Sequence, residues 1–159
     1  MELRFSIGLE EPLLANGVKQ VITKKPGFHL SQLCFNFTDL LIDIQSNRSN
    51  FIILDPDLKS FNPSQDLDRI KQVNPNAKVA LICKNAGKAI FHNLLDIGFD
   101  GMILSCCSEA EILKAIEKIV ALGLPPVFIY VYDEVWQVFK RLSELVVPIL
   151  LNYAPAQFS

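Results

Sequence analysis

The apolar positions of the chain fall into short runs set between helix-like stretches. Leu3–Gly8 predicts a strand. Pro12 opens a helical stretch with Leu13, Leu14, Val18, Val21 and Ile22 at helical spacing, closed by Pro26-Gly27. Proline suits the first turn, where its missing N–H would have no partner anyway. Phe28–Cys34 alternates weakly, as a strand does, and Phe37–Gln45 predicts a second helix with Leu40, Leu41 and Ile44 on one face. Phe51–Leu54, Val79–Ile82 and Gly101–Leu104 are continuous apolar runs. A strand buried on both faces reads this way, because neither set of alternate side chains meets water.

Between these runs, Ser64–Val73 predicts a helix with Leu67, Ile70 and Val73 on one side. Asn85–Ile97 predicts another, ending at Gly98, a residue suited to a left-handed cap. Ser108-x-x-Glu111 is a capping box, in which each side chain satisfies a backbone donor of the first turn. It opens a helix through Leu122 that Gly123 closes. Five strands alternating with five helices imply an α/β domain whose parallel sheet is covered on both faces, a doubly wound fold. Chemistry in such folds lies past the carboxyl ends of the strands, near the point where strand order reverses. That singles out Leu9-Glu10-Glu11, Asp55-Pro56-Asp57, Cys83-Lys84 and Ser105-Cys106.

Composition narrows the classes. The chain has 159 residues, with 15 Lys+Arg against 17 Asp+Glu and a net charge of −2. No basic excess supports direct nucleic-acid binding by bulk electrostatics. Half of the residues are apolar and the mean hydropathy is +0.29. Even so, the longest charge-free stretch near the C-terminus, Ile119–Tyr132, is broken by Pro125-Pro126 and ended by Asp133-Glu134. A membrane helix needs about 20 apolar residues, so no membrane span is expected. The N-terminus lacks the basic and apolar regions of a secretory signal. Cys34, Cys83, Cys106 and Cys107 form no C-x-x-C pair. Four reduced thiols in a cytoplasmic protein are expected. A zinc site would have to draw on His29 and His92, and the ligand spacing is missing.

The strand ends carry a resemblance. GFDGMILSCCSEAEILKAIEKIVALG (98–123) resembles strand five and helix five of response-regulator receiver domains. EPLLANGV (11–18) resembles the opening of helix one in NarL-type regulators. NFIILDPDLKS (50–60) resembles strand three ending in the phosphoacceptor aspartate. The resemblance spans residues 2–123. It implies a five-stranded, flavodoxin-like (CheY-like) fold and a role in two-component signalling. Under it, Asp55 takes the phosphoacceptor position, where a carboxylate attacks a phosphoryl group. The implied Mg²⁺ would be held by Glu10, Asp55 and the carbonyl of Asp57, with Glu11 adjacent.

The chain departs from that pattern at several positions. Leu9-Glu10 stands where the family has two acids. Cys83 replaces a Ser or Thr hydroxyl, and Ser105 replaces a Lys. Lys84 follows Cys83, placed either to supply the lost cation or to close the pocket. Phosphoryl transfer rests on positioning and charge stabilisation, and magnesium wants near-octahedral oxygen ligands. The expectation is therefore a degenerate receiver: no enzyme and no catalytic residues, an interaction module independent of phosphorylation. The alternative is a working phosphoacceptor at Asp55. A small-ligand binder or enzyme on the same fold is a third reading, weakened by the absence of a G-x-G-x-x-G loop.

Bland readings stand beside these. Asp55-Pro56-Asp57 is also ordinary turn chemistry. Glu10 and Glu11 also suit the start of a helix, and Cys83 reads equally as a small core residue. Cys106-Cys107 as a redox sensor lacks a neighbouring cation or base.

Residues 1–123 are thus expected to form the receiver-like domain, and 124–159 a helical extension or linker. In the latter, 22 of 36 residues are apolar, which locates the surplus hydropathy. Val135, Val138, Phe139, Leu142 and Leu145 fall on one face of a predicted helix, with Trp136 beside it. This face is expected to cover its own domain, or to meet a protein partner, an output domain or a second copy in a homodimer.

Overall fold

The computed structural model describes residues 1–83, 96–105 and 108–122. Several expectations lie outside the described residues: most of the helix expected after Cys83, Lys84, His92, Cys106, Cys107, the Gly123 cap, and the C-terminal helix with its apolar face.

The described elements are β1 (Leu3–Gly8), α1 (Pro12–Thr23), β2 (Phe28–Cys34), α2 (Phe37–Asn47), β3 (Phe51–Leu54), α3 (Pro63–Val73), β4 (Lys78–Cys83), β5 (Gly101–Leu104) and α4 (Glu109–Leu122). The strands form one five-stranded sheet in the order β2-β1-β3-β4-β5. Every neighbouring pair is parallel. The chain winds from β1 outward to β2, then returns to β3 on the other side of β1. A crossover keeps its right hand when its direction reverses, so the covering helix must change face.

The core shows that change. Phe5, Ile7, Phe51, Ile53, Ala80, Ile82 and Ile103 pack with α1 and α4. Ile52, Leu54, Val79, Leu81 and Met102 pack with α2 and α3. Alternate residues of one apolar run thus enter opposite layers, and this is why β3, and β4 after its first residue Lys78, carry no polar position facing water.

Two expectations about helix faces are corrected. Leu13 is 80% exposed, because the stripe that packs on the sheet is Ala15, Val18 and Ile22. At 100° per residue, Leu13 turns away from that stripe. Val73, the last residue of α3, is exposed, while Leu67 and Ile70 are buried. Two boundaries also move. α2 runs on to Asn47 and stops at Arg48, whose left-handed backbone (φ +50°) sends its N–H to the Ile44 carbonyl. α3 begins at Pro63 behind Asn62, whose side chain accepts from the Ser64 N–H, while Asp66 Oδ2 accepts from the Asn62 N–H at 2.7 Å.

Other signals are met in the geometry. Glu111 Oε2 accepts from the Ser108 N–H (2.6 Å) and Ser108 Oγ from the Glu111 N–H (3.3 Å), which is the reciprocal pair of a capping box. Gly98 has φ +104°, the left-handed backbone expected there. Among the described residues no helix is long and apolar enough to cross a membrane.

Candidate functional site

The reversal of strand order lies between β1 and β3, so the loops after these strands flank the crevice of the fold. β1 and β3 are in register from Phe5↔Phe51 to Gly8↔Leu54. The Asp55 N–H continues the ladder to the Gly8 carbonyl (2.9 Å). Asp55 is therefore placed by the end of β3. Its carboxylate Oδ1 accepts from the Asp57 N–H (2.8 Å), and its carbonyl accepts from the Leu58 N–H (3.0 Å). Pro56, with its fixed φ, supports this tight turn. Asp55 is half-buried and Asp57 exposed.

Beneath the turn, space is filled. A Cβ on Gly8 would stand 2.8 Å from both Leu40 Cδ2 and Leu58 Cδ2. The close approach of these side chains is what requires glycine here. Leu58 is buried, and it anchors the turn into the α2/α3 layer.

Cys83 closes β4 and is buried. Burial pushes its thiol up to about 12, and the negative charges of Asp55 and then Asp57 push in the same direction. Their influence brings Cys83, Asp55 and Asp57 together at one place. The Ser105 N–H donates to the Cys83 carbonyl (2.9 Å), so Ser105, half-buried, stands beside it at the end of β5. Cys34 closes β2 and is buried. Its thiol is likewise pushed up to about 12 by burial, then by Asp43 and Asp39, against a lowering hydrogen bond from Gln32. Both buried thiols are free. A thiol held protonated is a poor nucleophile.

On the β1 side, Leu9 is fully buried in the α1 layer, and its N–H donates to the Cys34 carbonyl (3.1 Å). Glu10 is exposed and Glu11 half-buried. Glu11 is the residue preceding α1, and its side chain makes no capping bond. Among the described residues no group of three His, Cys, Asp or Glu side chains could hold a metal ion. Leu9 offers the crevice no oxygen, and Asp55 Oδ1 already accepts the Asp57 N–H. This donor set does not fit a resident Mg²⁺, which demands close to six oxygens in octahedral geometry. His29 is exposed and pairs with Glu2 (2.6 Å), away from any metal partner.

A polar cluster that the sequence reading passed over lies inside the α2 layer. Asp43 is 2% exposed, and its carboxylate accepts from Ser6 Oγ (2.7 Å), Ser31 Oγ (2.8 Å) and Asn47 Nδ2. Ser6 Oγ also meets Ser49 Oγ at 2.6 Å. The β1–β2 register shifts between Phe5 and Ile7, where Ser31 and Gln32 stand opposite Ser6 alone. Such a bulge is rare in parallel pairs, and the Ser6–Asp43–Ser31 bonds hold it. The signal was present as Ser6 inside an apolar strand and Asp43 beside Leu40 and Ile44 on α2.

No family model matches the chain, and no curated protein matches it. Solved structures do. A two-component response regulator of the LuxR family from Aurantimonas sp. SI85-9A1 superposes with a TM-score of 0.73 at 17% identity, over 89% of this chain and 99% of that one. The signal receiver domain of the response regulator NarL from Mycobacterium tuberculosis gives 0.67 at 21%, over 77% and 98%. A CheY-like receiver domain protein from Methanospirillum hungatei JF-1 gives 0.65 at 18%, over 76% and 95%. At these identities the likeness concerns architecture, and with the strand order and two-sided helix cover it establishes that the chain has the fold of a response-regulator receiver domain.

Proposed function

We propose that this chain is an atypical receiver, a signalling and regulatory module that works through protein contacts and does not depend on phosphorylation. One observation carries the reading. The Asp55 carboxylate stands at the end of β3, and the positions that follow or close the other central strands are a buried Leu9, a Cys83 thiol that burial pushes up to about 12, and a half-buried Ser105. Phosphoryl transfer is catalysed almost wholly by positioning and by cations and donors around the moving group. A thiol is a weak hydrogen-bond donor, and a serine brings no charge. Without a fitting Mg²⁺ site among the described residues, the charge developing on a phosphoryl group would have Lys84 of the sequence alone to offset it. The partner is a protein or an output domain, and the proposed contact is through Val135, Trp136, Val138, Phe139, Leu142 and Leu145, which the sequence pattern predicts as an interaction face.

The test is incubation of the full chain with acetyl phosphate and Mg²⁺, followed by mass measurement under neutral and acidic conditions. No acid-labile phosphate is expected. Stoichiometric, Mg²⁺-dependent modification lost in Asp55→Ala would overturn the proposal. It would establish instead the second reading, in which an Asp55 oxygen bonds to phosphorus as acetate leaves. That reading draws support from the half-exposed position of Asp55 at the fold's crevice.

A further inference from the structure

The turn that carries Asp55 is fastened to the start of α2 rather than standing alone. After the Asp55–Asp57 turn, Leu58 is buried under Gly8 against Leu40 of α2. Lys59 then forms an isolated parallel bridge with Asn36, and the Phe37 N–H donates to the Lys59 carbonyl (2.9 Å). Asn36 in turn caps α2 by accepting from the Asp39 N–H (2.9 Å). Ser60 takes a left-handed backbone (φ +64°), and Phe61 stacks on Phe37 with ring centroids 5.2 Å apart. Arg69 of α3 lies over the same Phe37 ring at 5.4 Å. Leu58, Lys59 and Phe61 are thus each packed or hydrogen-bonded to the first turn of α2 or its cap. Phe35, one residue ahead of that bridge, is 43% exposed, unusual for a phenylalanine.

We propose that the Asp55 turn and the β2–α2 corner form one coupled unit, so that an event at the Asp55 carboxylate is read at Asn36–Phe37 and the exposed Phe35. The carboxylate holds the turn through Oδ1, which accepts the Asp57 N–H. An event that takes this oxygen away releases Asp57. The loosening passes to Leu58, Lys59 and the Phe37 N–H, because these share one short backbone segment and one buried anchor. Coupling of this kind requires contiguous packed and hydrogen-bonded groups, which the segment supplies. The proposal holds whether the event is phosphorylation or partner docking, so it stands apart from the function proposed above.

Amide hydrogen exchange on the full chain tests it. Asp55→Ala removes the oxygen that accepts the Asp57 N–H, whereas Asp55→Asn keeps an oxygen there. Exchange at the Phe37 amide is expected to rise roughly three- to tenfold in Asp55→Ala, the range for one weakened hydrogen bond. It is expected to stay within about twofold of the parent in Asp55→Asn, on the same reasoning. The Asp100 amide, which donates to the Val79 carbonyl across the sheet, serves as the reference and should not change. An unmoved Phe37 amide in Asp55→Ala overturns the coupling. So does an equal acceleration at Phe37 and Asp100, which would mean general loss of stability. An equal effect of Asp55→Asn would assign the change to lost charge rather than to the turn, and would also overturn it.

Discussion

Ser6 Oγ donates to the buried Asp43 carboxylate at 2.7 Å, linking the middle of β1 to α2 beneath the bulge in β2. The other carboxylate oxygen takes Ser31 of β2 and Asn47 of α2. Three neutral donors therefore hold a carboxylate in the core. Such a group is costly to bury and more costly to half-satisfy. Asp43→Ala, which removes the acceptor shared by these three donors and leaves Ser6 only its contact with Ser49, is expected to cost about 3 kcal/mol. Ser6→Ala, which leaves two donors in place, is expected to cost about 1 kcal/mol. Urea unfolding with an unchanged slope would read both values.

Gly8→Ala should destabilise the fold although Gly8 needs no special backbone angle. Its new Cβ would meet the Leu40 and Leu58 Cδ2 methyls at 2.8 Å, so one or both of these buried side chains must shift within the packed core. A loss of about 1–3 kcal/mol is expected for overpacking. Trimming Leu58 as well, in Gly8→Ala/Leu58→Ala, should cost less than the sum of the two single changes, because one of the two close contacts disappears. Thermal or urea midpoints of the four proteins complete the cycle.

The two strand-end thiols predict a fall in stability at alkaline pH. Each moves from an ordinary value of 9.0 up to about 12 in the folded chain, through burial first and neighbouring carboxylates second. Between pH 9 and 12 the unfolded chain has lost these protons while the folded chain retains them. The unfolded state then binds fewer protons, so stability decreases as pH rises. Below pH 9 both states are protonated and the thiols add no slope. Cys34→Ala/Cys83→Ala should show a shallower decline, by up to about 1.4 kcal/mol per pH unit for each thiol removed. Urea midpoints at pH 8 and 10.5 would display the difference.

Asp100 joins the starts of β4 and β5. Its Oδ2 accepts from the Val79 N–H (2.8 Å) and Lys71 Nζ (2.9 Å), and Lys78 Nζ lies 3.8 Å from Oδ1. Asp100→Ala is expected to cost about 2–3 kcal/mol, since it strips the Val79 N–H of its acceptor and leaves the half-buried Lys71 with only the Ala77 carbonyl. Asp100→Asn should restore part of this, because an amide oxygen still accepts the Val79 N–H. The same unfolding measurement separates the two.

Elements with dense local signals were legible in the sequence. β1, β2, β3 and β5 lie where the apolar runs and their punctuation put them. The Ser108–Glu111 pair works as its spacing demands. α2 runs past its expected end at Gln45 because Arg48, a residue that gives no cap signal, takes the left-handed cap. Of the site, the positions after β1, β3, β4 and β5 follow from the architecture. The strand-end rule singles out Asp55, Asp57 and Cys83 together, and the receiver resemblance supplies their expected roles. The Lys59–Asn36 bridge and the Asp43 cluster join residues from separate elements, and no local pattern announces such a pairing.

What the sequence alone determined is the list of elements and the two-sided burial of the sheet. Each follows from periodicity, caps and turns within a few residues. Tertiary structure decided which polar groups are shared between elements. Ser6 is an ordinary strand serine until α2 brings Asp43 over it, and Gly8 is an ordinary glycine until Leu40 and Leu58 close on it. Contacts of this kind are set by how the layers stack, and their energy depends on the low dielectric and tight packing that only the folded interior provides.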